Sequence, residues 1–135
     1  MNRCVHLGLL LGGCLAVTSG CTKPLPWRSD WKVAMAEARR DRQPTLLMFA
    51  AATCPRCWHM DREVFTSERV REELAPYQLV RLDLLMHREL AKGYDFTGTP
   101  SFVVFNAAGR VLATHPGAMD APALVRFLQR SRLNR

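Results

Sequence analysis

Two cysteines separated by a proline and an arginine, Cys54-Pro55-Arg56-Cys57, are the residues of this 135-residue sequence best suited to chemistry. The thiolate is the nucleophile in disulfide exchange, and a helix N-terminus lowers a thiol pKa from about 8.5 into the range of about 3.5 to 7.5. If a helix begins after Cys54, Pro55 occupies its first position, where the missing N–H costs no hydrogen bond. Cys54 is therefore the predicted attacking thiol.

Arg56 and Cys57 complete the predicted reacting group. The positive charge of Arg56 favours the thiolate form of Cys54. Cys57, one helical turn on, is placed to release a bound thiol by closing an intramolecular disulfide with Cys54. Because Cys57 shares a helix face with Met60 and Val64, we predict that it is the more buried cysteine. Such a redox-active disulfide requires no other cofactor.

Two other interpretations of the cysteine pair remain open. Structural zinc takes four Cys or His ligands, usually from two pairs, and the sequence has no second pair. His59 projects about 200° away from Cys57 on a regular helix, so no metal site is predicted there. Two thiolates can nevertheless hold soft Cu(I), which makes a metal-carrying module one alternative. A lipoprotein that only binds partners through inert cysteines is the other.

The elements that position the cysteines follow from the apolar pattern. Residues 46–50 form a continuous apolar run, typical of a strand buried on both faces. A helix capped by Ser29 or Asp30 precedes this strand, and the cysteine helix follows it. The later predicted elements are a helix after Thr66-Ser67, a strand over 77–84, a short helix over 87–92 closed by a left-handed Gly93, strands over 101–106 and 110–115, and a helix capped by Asp120.

The order of these elements indicates the fold class. Ala107-Ala108-Gly109 separates the last two strands, and a three-residue loop ending in glycine is typical of an antiparallel hairpin. Helices alternate with the earlier strands. The sequence therefore predicts an α/β fold with a mixed sheet covered by helices on both sides.

Residues 45–60, followed by Gly98-Thr99-Pro100, resemble the thioredoxin superfamily. More narrowly, they resemble bacterial envelope proteins related to the C-terminal domain of the electron-transfer protein DsbD, and the resemblance covers about residues 30–131. It implies a thioredoxin-like three-layer fold with about four strands, protein disulfide or thiol substrates, and a membrane redox partner of the DsbD type. It also implies a cis bond at Thr99-Pro100 against the cysteines, with the Thr99 backbone pairing with substrate.

Three positions depart from the pattern of that superfamily. Met48 stands where many thioredoxins bury an Asp that helps to move the proton of the second cysteine. Thr53 replaces the usual Trp, and Pro55-Arg56 replaces Gly-Pro. Exchange chemistry survives these changes, but they bear on the direction of electron flow. We predict disulfide reduction, with oxidation or isomerisation as the alternatives.

The N-terminus predicts export and lipid attachment. Arg3 is followed by an apolar run over 7–17 and by small residues, and eleven apolar residues are too few to span a bilayer that needs about 20. Ser19-Gly20-Cys21 resembles a lipoprotein signal, although Thr18 stands where Leu is usual. We therefore predict a signal peptide over 1–20 and lipidation at Cys21. The alternative is cleavage elsewhere, which leaves Cys21 as an odd thiol.

Removal of the predicted signal peptide defines the cysteines and segments of the mature protein. Of five cysteines, Cys4 and Cys14 would be removed and Cys21 would carry lipid, so one redox pair remains. Residues 21–29 are predicted to form a semi-rigid tether and 30–135 the domain. The predicted location is the bacterial envelope, lipid-anchored and facing the periplasm. The outer membrane is favoured because Thr22 replaces the Asp that retains many lipoproteins at the inner one.

Composition sets limits on the partners. The chain is 48% hydrophobic and 23% charged, which is ordinary for a globular domain. Its net charge is +7, but the arginines are mostly scattered, so no nucleic-acid partner is predicted. The excess charge favours anionic lipid or acidic proteins. Together these patterns predict a monomeric, exported, membrane-tethered thiol:disulfide oxidoreductase.

Overall fold

A four-stranded mixed sheet organises residues 22–134, the part of the chain that the computed structural model describes. The predicted signal peptide and Cys21 lie outside these residues. The elements in chain order are α1 Trp31–Asp41, β1 Thr45–Ala50, α2 Pro55–His59 with a π-helical turn Met60–Val64, α3 Glu68–Leu74, β2 Gln78–Asp83, α4 Arg88–Lys92, β3 Ser101–Phe105, β4 Val111–Pro116 and α5 Ala121–Leu133. No helix among the described residues is both long and apolar enough to cross a bilayer.

The strand order β2-β1-β3-β4 brings three chain segments to one end of the sheet. β1 runs parallel to β2, with Ala50 opposite Asp83, and antiparallel to β3, with Phe49 opposite Ser101. The carboxyl ends of β1 and β2 therefore lie beside the start of β3. We call this the cysteine end of the sheet, because the cysteines follow β1 there.

Alternate residues of β1 enter two separate cores. All six residues of the strand are buried, as the sequence predicted. Leu46 and Met48 pack in a cluster with residues of α2, α3 and α5. Leu47 and Phe49 pack in a second cluster with residues of α1 and of the α4 region. Helices thus cover both faces of the sheet, and the predicted three-layer α/β fold with a mixed sheet is confirmed.

The predicted caps at Asp30 and Asp120 and the predicted hairpin are also confirmed, whereas Ser67 begins α3 without a side-chain cap hydrogen bond. The Asp30 carboxylate accepts a hydrogen bond from the backbone N–H of Val33 at 3.0 Å, and Asp120 accepts one from Ala123 at 2.7 Å. β3 and β4 pair antiparallel through a loop in which Gly109 has φ of +86°. That dihedral angle lies in the left-handed region that favours glycine.

The prediction of a left-handed Gly93 is wrong. Gly93 has φ of −59°, and the chain reverses at Asp95, where φ is 59°. The backbone N–H of Phe96 bonds to the carbonyl of Ala91 at 3.1 Å, the pattern that terminates a helix after a left-handed residue. The Phe96 ring then packs edge-on against Phe49. Burial of Phe96 therefore fixes the reversal two residues later than the glycine suggested.

Part of the segment predicted as a tether differs from that expectation, because Leu25, Trp27 and Arg28 lie against the domain. Arg28 donates its N–H to the carbonyl of Leu79 and accepts from Arg81, both at 2.9 Å, which adds a one-residue bridge to β2. The ring of Trp27 packs edge-on against Phe65, with 5.2 Å between centroids. Residues 25–28 are part of the domain, so its boundary precedes residue 30.

A side-chain contact extends this docking toward the start of the described chain. The guanidinium of Arg71 in α3 donates to the carbonyl of Lys23 at 2.6 Å. Leu25 packs against the core cluster beneath α3. We call residues 23–28 the docked segment. Leu25 and Trp27 are large apolar side chains, and packing against the core partly removes them from water, which a solvated tether would not do.

One ion cluster joins α3 to α5. The Glu73 side chain is buried and bonds to Arg132 and to Gln129, the latter at 2.9 Å, while Arg69 approaches it at 2.9 Å. Burial alone raises the pKa of the Glu73 carboxyl, but these hydrogen bonds and charges outweigh burial and hold the pKa below its ordinary value. The cluster therefore stabilises the ionised form of Glu73 in the folded protein.

Because its folded-state pKa is lowered, Glu73 contributes stability that is present above the unfolded pKa of about 4.3 and is lost as pH falls through the lower folded value. We expect Glu73→Gln to reduce the free energy of unfolding by about 1 to 3 kcal/mol at pH 7 and to flatten its decline in acid. Urea denaturation between pH 3 and pH 7 measures both effects. Glu72→Gln, at an exposed position of α3, is the control, and an equally steep acid decline in Glu73→Gln would contradict the assignment.

Candidate active site

The cysteine helix begins where the sequence predicts. Cys54 is the N-cap of α2 with an extended backbone, and Pro55 occupies the first turn. The Cys54 Sγ accepts a hydrogen bond from the backbone N–H of Cys57 at 3.1 Å. The sulfur thus satisfies one of the N–H groups that a helix start leaves unpaired, and it lies at the positive end of the helix dipole.

Cys54 and Cys57 are joined by a disulfide, with 5.2 Å between their Cα atoms. Cys57 has no solvent exposure, whereas Cys54 retains 6%. Met60 and Val64 are buried on the same side of the helix as Cys57. An incoming thiol can therefore reach the disulfide through Cys54, while Cys57 lies behind it in the core.

Arg56 and Trp58 flank the pair on the surface. Arg56 is exposed and makes no ion pair within residues 22–134. Trp58 is 47% exposed, and its indole N–H donates to the carbonyl of Ala52 at 3.1 Å. Trp58 is thus not a core residue, and its ring is fixed beside the loop that leads to Cys54.

Thr99-Pro100 lies at the same end of the sheet, immediately before β3. Its peptide bond is cis, as the resemblance implied. The Pro100 carbonyl accepts a hydrogen bond from Gly117 at 2.8 Å, which ties this turn to the end of β4. The backbone N–H and C=O of Thr99 make no hydrogen bond to any residue in the described part of the chain. Both groups are available to an added strand.

The position of the family's buried carboxylate holds an apolar side chain. Met48 is fully buried within the core cluster that also contains both cysteines. The carboxylate nearest along the helix is Asp61, which pairs with Arg81 of β2 at 2.6 Å. This ion pair, which sequence patterns did not predict, ties the cysteine helix to the sheet.

A turn after β2 was also missed. The Asp83 carboxylate accepts hydrogen bonds from the backbone N–H groups of Leu85, at 2.9 Å, and Met86, at 3.1 Å. A cleft of about 160 Å³ is lined by residues 50–52, which precede the cysteines, and by residues 81–83 at the end of β2. An Asp at the end of a strand, followed by three apolar residues, was the available signal.

No group of three or more His, Cys, Asp or Glu side chains suited to a metal ion occurs among residues 22–134. The two cysteine sulfurs are bonded to each other. This bond can exchange with an external thiol that enters through Cys54.

Sequence comparison gives a family and two relatives. Residues 31–132 match the family model described as a thioredoxin-like domain. The chain is 32% identical over 124 residues to the thiol:disulfide interchange protein DsbD 1 of Pseudomonas aeruginosa, covering 84% of this chain and 20% of that protein. It is 34% identical over 85 residues to DsbD of Ralstonia nicotianae, covering 60% of this chain and 14% of the relative. The chain thus spans a fifth or less of these relatives.

Solved structures show the same fold. A thioredoxin from Thermus thermophilus superposes with a TM-score of 0.70 at 23% identity, covering 82% of this chain and 89% of that one. The oxidised C-terminal domain of DsbD from Neisseria meningitidis gives 0.61 at 23% identity, covering 77% and 92%. A DsbH oxidoreductase gives 0.66 at 21% identity, covering 91% and 96%.

We predict that, in the reduced protein, iodoacetamide alkylates Cys54 at least about tenfold faster than Cys57, because thiolate character and access control the rate. Mass spectrometry of timed samples measures both rates. Arg56→Glu should slow alkylation of Cys54 by about two- to fivefold through loss of a nearby positive charge. Arg62→Glu, exposed farther along the same helix, is the matched control. Faster modification of Cys57 would refute the assignment of the attacking thiol.

Proposed function

This chain belongs to the thioredoxin-like domain family, and from that premise we propose that it is a protein-disulfide oxidoreductase with Cys54 and Cys57 as its reacting pair. The observation that carries the proposal is the disulfide at a helix N-terminus, of which Cys54 alone has solvent exposure. Cys54 acts as the attacking thiol and Cys57 as the resolving thiol.

The proposed cycle transfers two electrons from the Cys54/Cys57 dithiol to a substrate disulfide. The Cys54 thiolate attacks one substrate sulfur, which breaks the substrate S–S bond, forms a mixed disulfide and releases one substrate thiolate. Cys57 then loses its proton and attacks the Cys54 sulfur. The second substrate thiolate leaves, and the Cys54–Cys57 disulfide forms. The substrate thiolates take up the protons that the two cysteines lose.

Restoring the dithiol requires a second exchange in the opposite sense. A dithiol of a membrane redox partner attacks the Cys54–Cys57 disulfide and becomes oxidised as the pair is reduced. Both relatives are named thiol:disulfide interchange proteins, which supports a partner of the DsbD type. Since Met48 supplies no carboxylate, the Cys57 proton leaves through water or to the departing substrate thiolate.

We also propose that Thr99 aligns the substrate. Its backbone N–H and C=O have no partner within residues 22–134 and lie at the cysteine end of the sheet. An extended substrate segment can pair with them as a short added strand, which holds its cysteine beside Cys54. Three residues have supporting roles in this proposal. Pro100 forms the cis turn that holds Thr99, Pro55 begins the cysteine helix, and the charge of Arg56 favours the thiolate of Cys54.

The proposed direction is reduction of the substrate. Arg56 favours the reduced thiolate form and therefore opposes this direction, but its side chain is exposed and its charge is screened at physiological salt. Equilibration with glutathione measures the reduction potential. A value below the glutathione couple supports a reductant, whereas one near the DsbA value of about −120 mV makes the chain an oxidant.

Removal of Cys57 tests the proposed cycle. The Cys57→Ala variant, expressed in its native cell, lacks the resolving thiol, so Cys54 should stay covalently joined to client proteins. Non-reducing electrophoresis should show at least about tenfold more mixed-disulfide complexes than wild type, and reductant should dissolve them. Cys54→Ala, which retains only the buried thiol, is the control. If neither variant forms complexes, the protein does not exchange disulfides with proteins in that cell.

We further propose that residues 1–20 form a signal peptide and that Cys21 carries lipid, which places the domain in the bacterial envelope facing the periplasm, with the outer membrane as its anchor. Wild-type protein should incorporate labelled palmitate. Cys21→Ala should lose this label, whereas Cys14→Ala, within the same leader, should retain it. Labelling that survives Cys21→Ala would place the lipid elsewhere.

A further inference from the structure

The turn after β2 presents two large apolar side chains to solvent. Leu85 is 65% exposed and Met86 is 81% exposed, whereas Leu82, just before them, is buried. Neither exposed residue belongs to the two core clusters. Their apolar character therefore contributes little to the stability of the folded domain.

This turn is held in place by several hydrogen bonds. The Asp83 carboxylate accepts from the backbone N–H groups of Leu85 and Met86. The backbone N–H of Leu84 donates to the carbonyl of Ala50 at 2.9 Å, and that of His87 donates to the carbonyl of Asp83 at 3.1 Å. Exposed apolar side chains on a fixed backbone lose less conformational entropy on binding than those on a mobile loop.

The turn and Trp58 are attached to the same short segment of the active site. Residues 50–52 connect β1 to the cysteine helix, and they accept hydrogen bonds from Leu84 and from the indole of Trp58. Both groups of apolar atoms therefore lie at the cysteine end of the sheet. We define Trp58, Leu85 and Met86 as the apolar rim.

Two arginines without ion pairs lie next in sequence to the cysteines and to the Leu85–Met86 turn. Arg56 and Arg88 are exposed and make no ion pair with any described residue. Three carboxylates on the same segments have partners, since Asp61 pairs with Arg81, Glu89 pairs with Lys92, and Asp83 caps the turn. A surface with an apolar centre and free guanidinium groups complements a protein surface with apolar and acidic residues.

We propose that the apolar rim is the docking surface for the proteins that exchange disulfides with this chain, and that those partners present apolar side chains bordered by acidic residues beside their cysteines. This inference rests on the proposed function and adds the chemistry of the partner to it. Apolar contact at the rim slows dissociation of the encounter complex, and Arg88 accelerates its formation.

Three synthetic peptides with one internal disulfide test the proposal. The first carries Leu and Phe beside its cysteines and Glu outside them, the second replaces Leu and Phe with Ser, and the third replaces Glu with Lys. Full-length protein is first reduced with dithiothreitol and separated from it. Stopped-flow tryptophan fluorescence and quenched chromatography then give the second-order rate constant for each oxidised peptide.

Wild-type protein should react with the first peptide about tenfold faster than with the second, consistent with loss of about 1.4 kcal/mol of contact energy. Leu85→Ser/Met86→Ser should bring that ratio close to one. Leu133→Ser, 83% exposed in the last turn of α5, is the matched control and should keep the wild-type ratio. Arg88→Glu should abolish the preference for the first peptide over the third, and added salt should weaken that preference in wild type.

The outcomes separate the two proposals. If wild-type protein reacts with none of the peptides, the proposed exchange function is wrong. If it reacts equally with all three, exchange stands and the docking inference is overturned. The docking inference is also overturned if Leu85→Ser/Met86→Ser keeps the wild-type ratio of rate constants for the first and second peptides. It is likewise overturned if Leu133→Ser abolishes that ratio equally, because neither result assigns the preference to this turn.

Discussion

Burial of β1 on both faces is the constraint on which the rest of the structure depends. Residues 46–50 of the strand divide between two cores, so a slip by one residue or a turn of the strand would place each set of side chains in the wrong core. That rigidity fixes the point at which the chain leaves the sheet and begins the cysteine helix. The parallel β2 and antiparallel β3 then deliver the Leu85–Met86 turn and Thr99-Pro100 to the same end.

The backbone contributes to the electrostatics of the cysteine pair. The Cys54 sulfur caps α2, whereas the adjacent core holds Met48 and other apolar side chains. A buried carboxylate would have to be desolvated or protonated there, so an apolar residue is the less costly occupant. The helix terminus can thus favour negative charge on Cys54 without a charged neighbour in the core, which leaves the exposed Arg56 as an adjustable contribution.

Much of this arrangement could be predicted because its signals are local. The doubly buried strand, the caps at Asp30 and Asp120, and the start of the cysteine helix all follow from short patterns. The turn at Asp95 could not, because burial of Phe96 against Phe49 decides it. Exposure of Leu85 and Met86 is likewise set by tertiary structure, and the cis bond before Pro100 followed only from family resemblance.

The docked segment changes what a lipid at Cys21 would do to the molecule. From Cys21 to Lys23, whose carbonyl is bonded to Arg71, two residues reach at most about 7 Å. Such a lipid would be joined to the domain by a short linker rather than by a long flexible tether. The domain would then keep a restricted range of orientations relative to the bilayer. Its encounters with a membrane-bound reductant would depend on lateral diffusion and on the angle of approach instead of on the motion of a flexible linker.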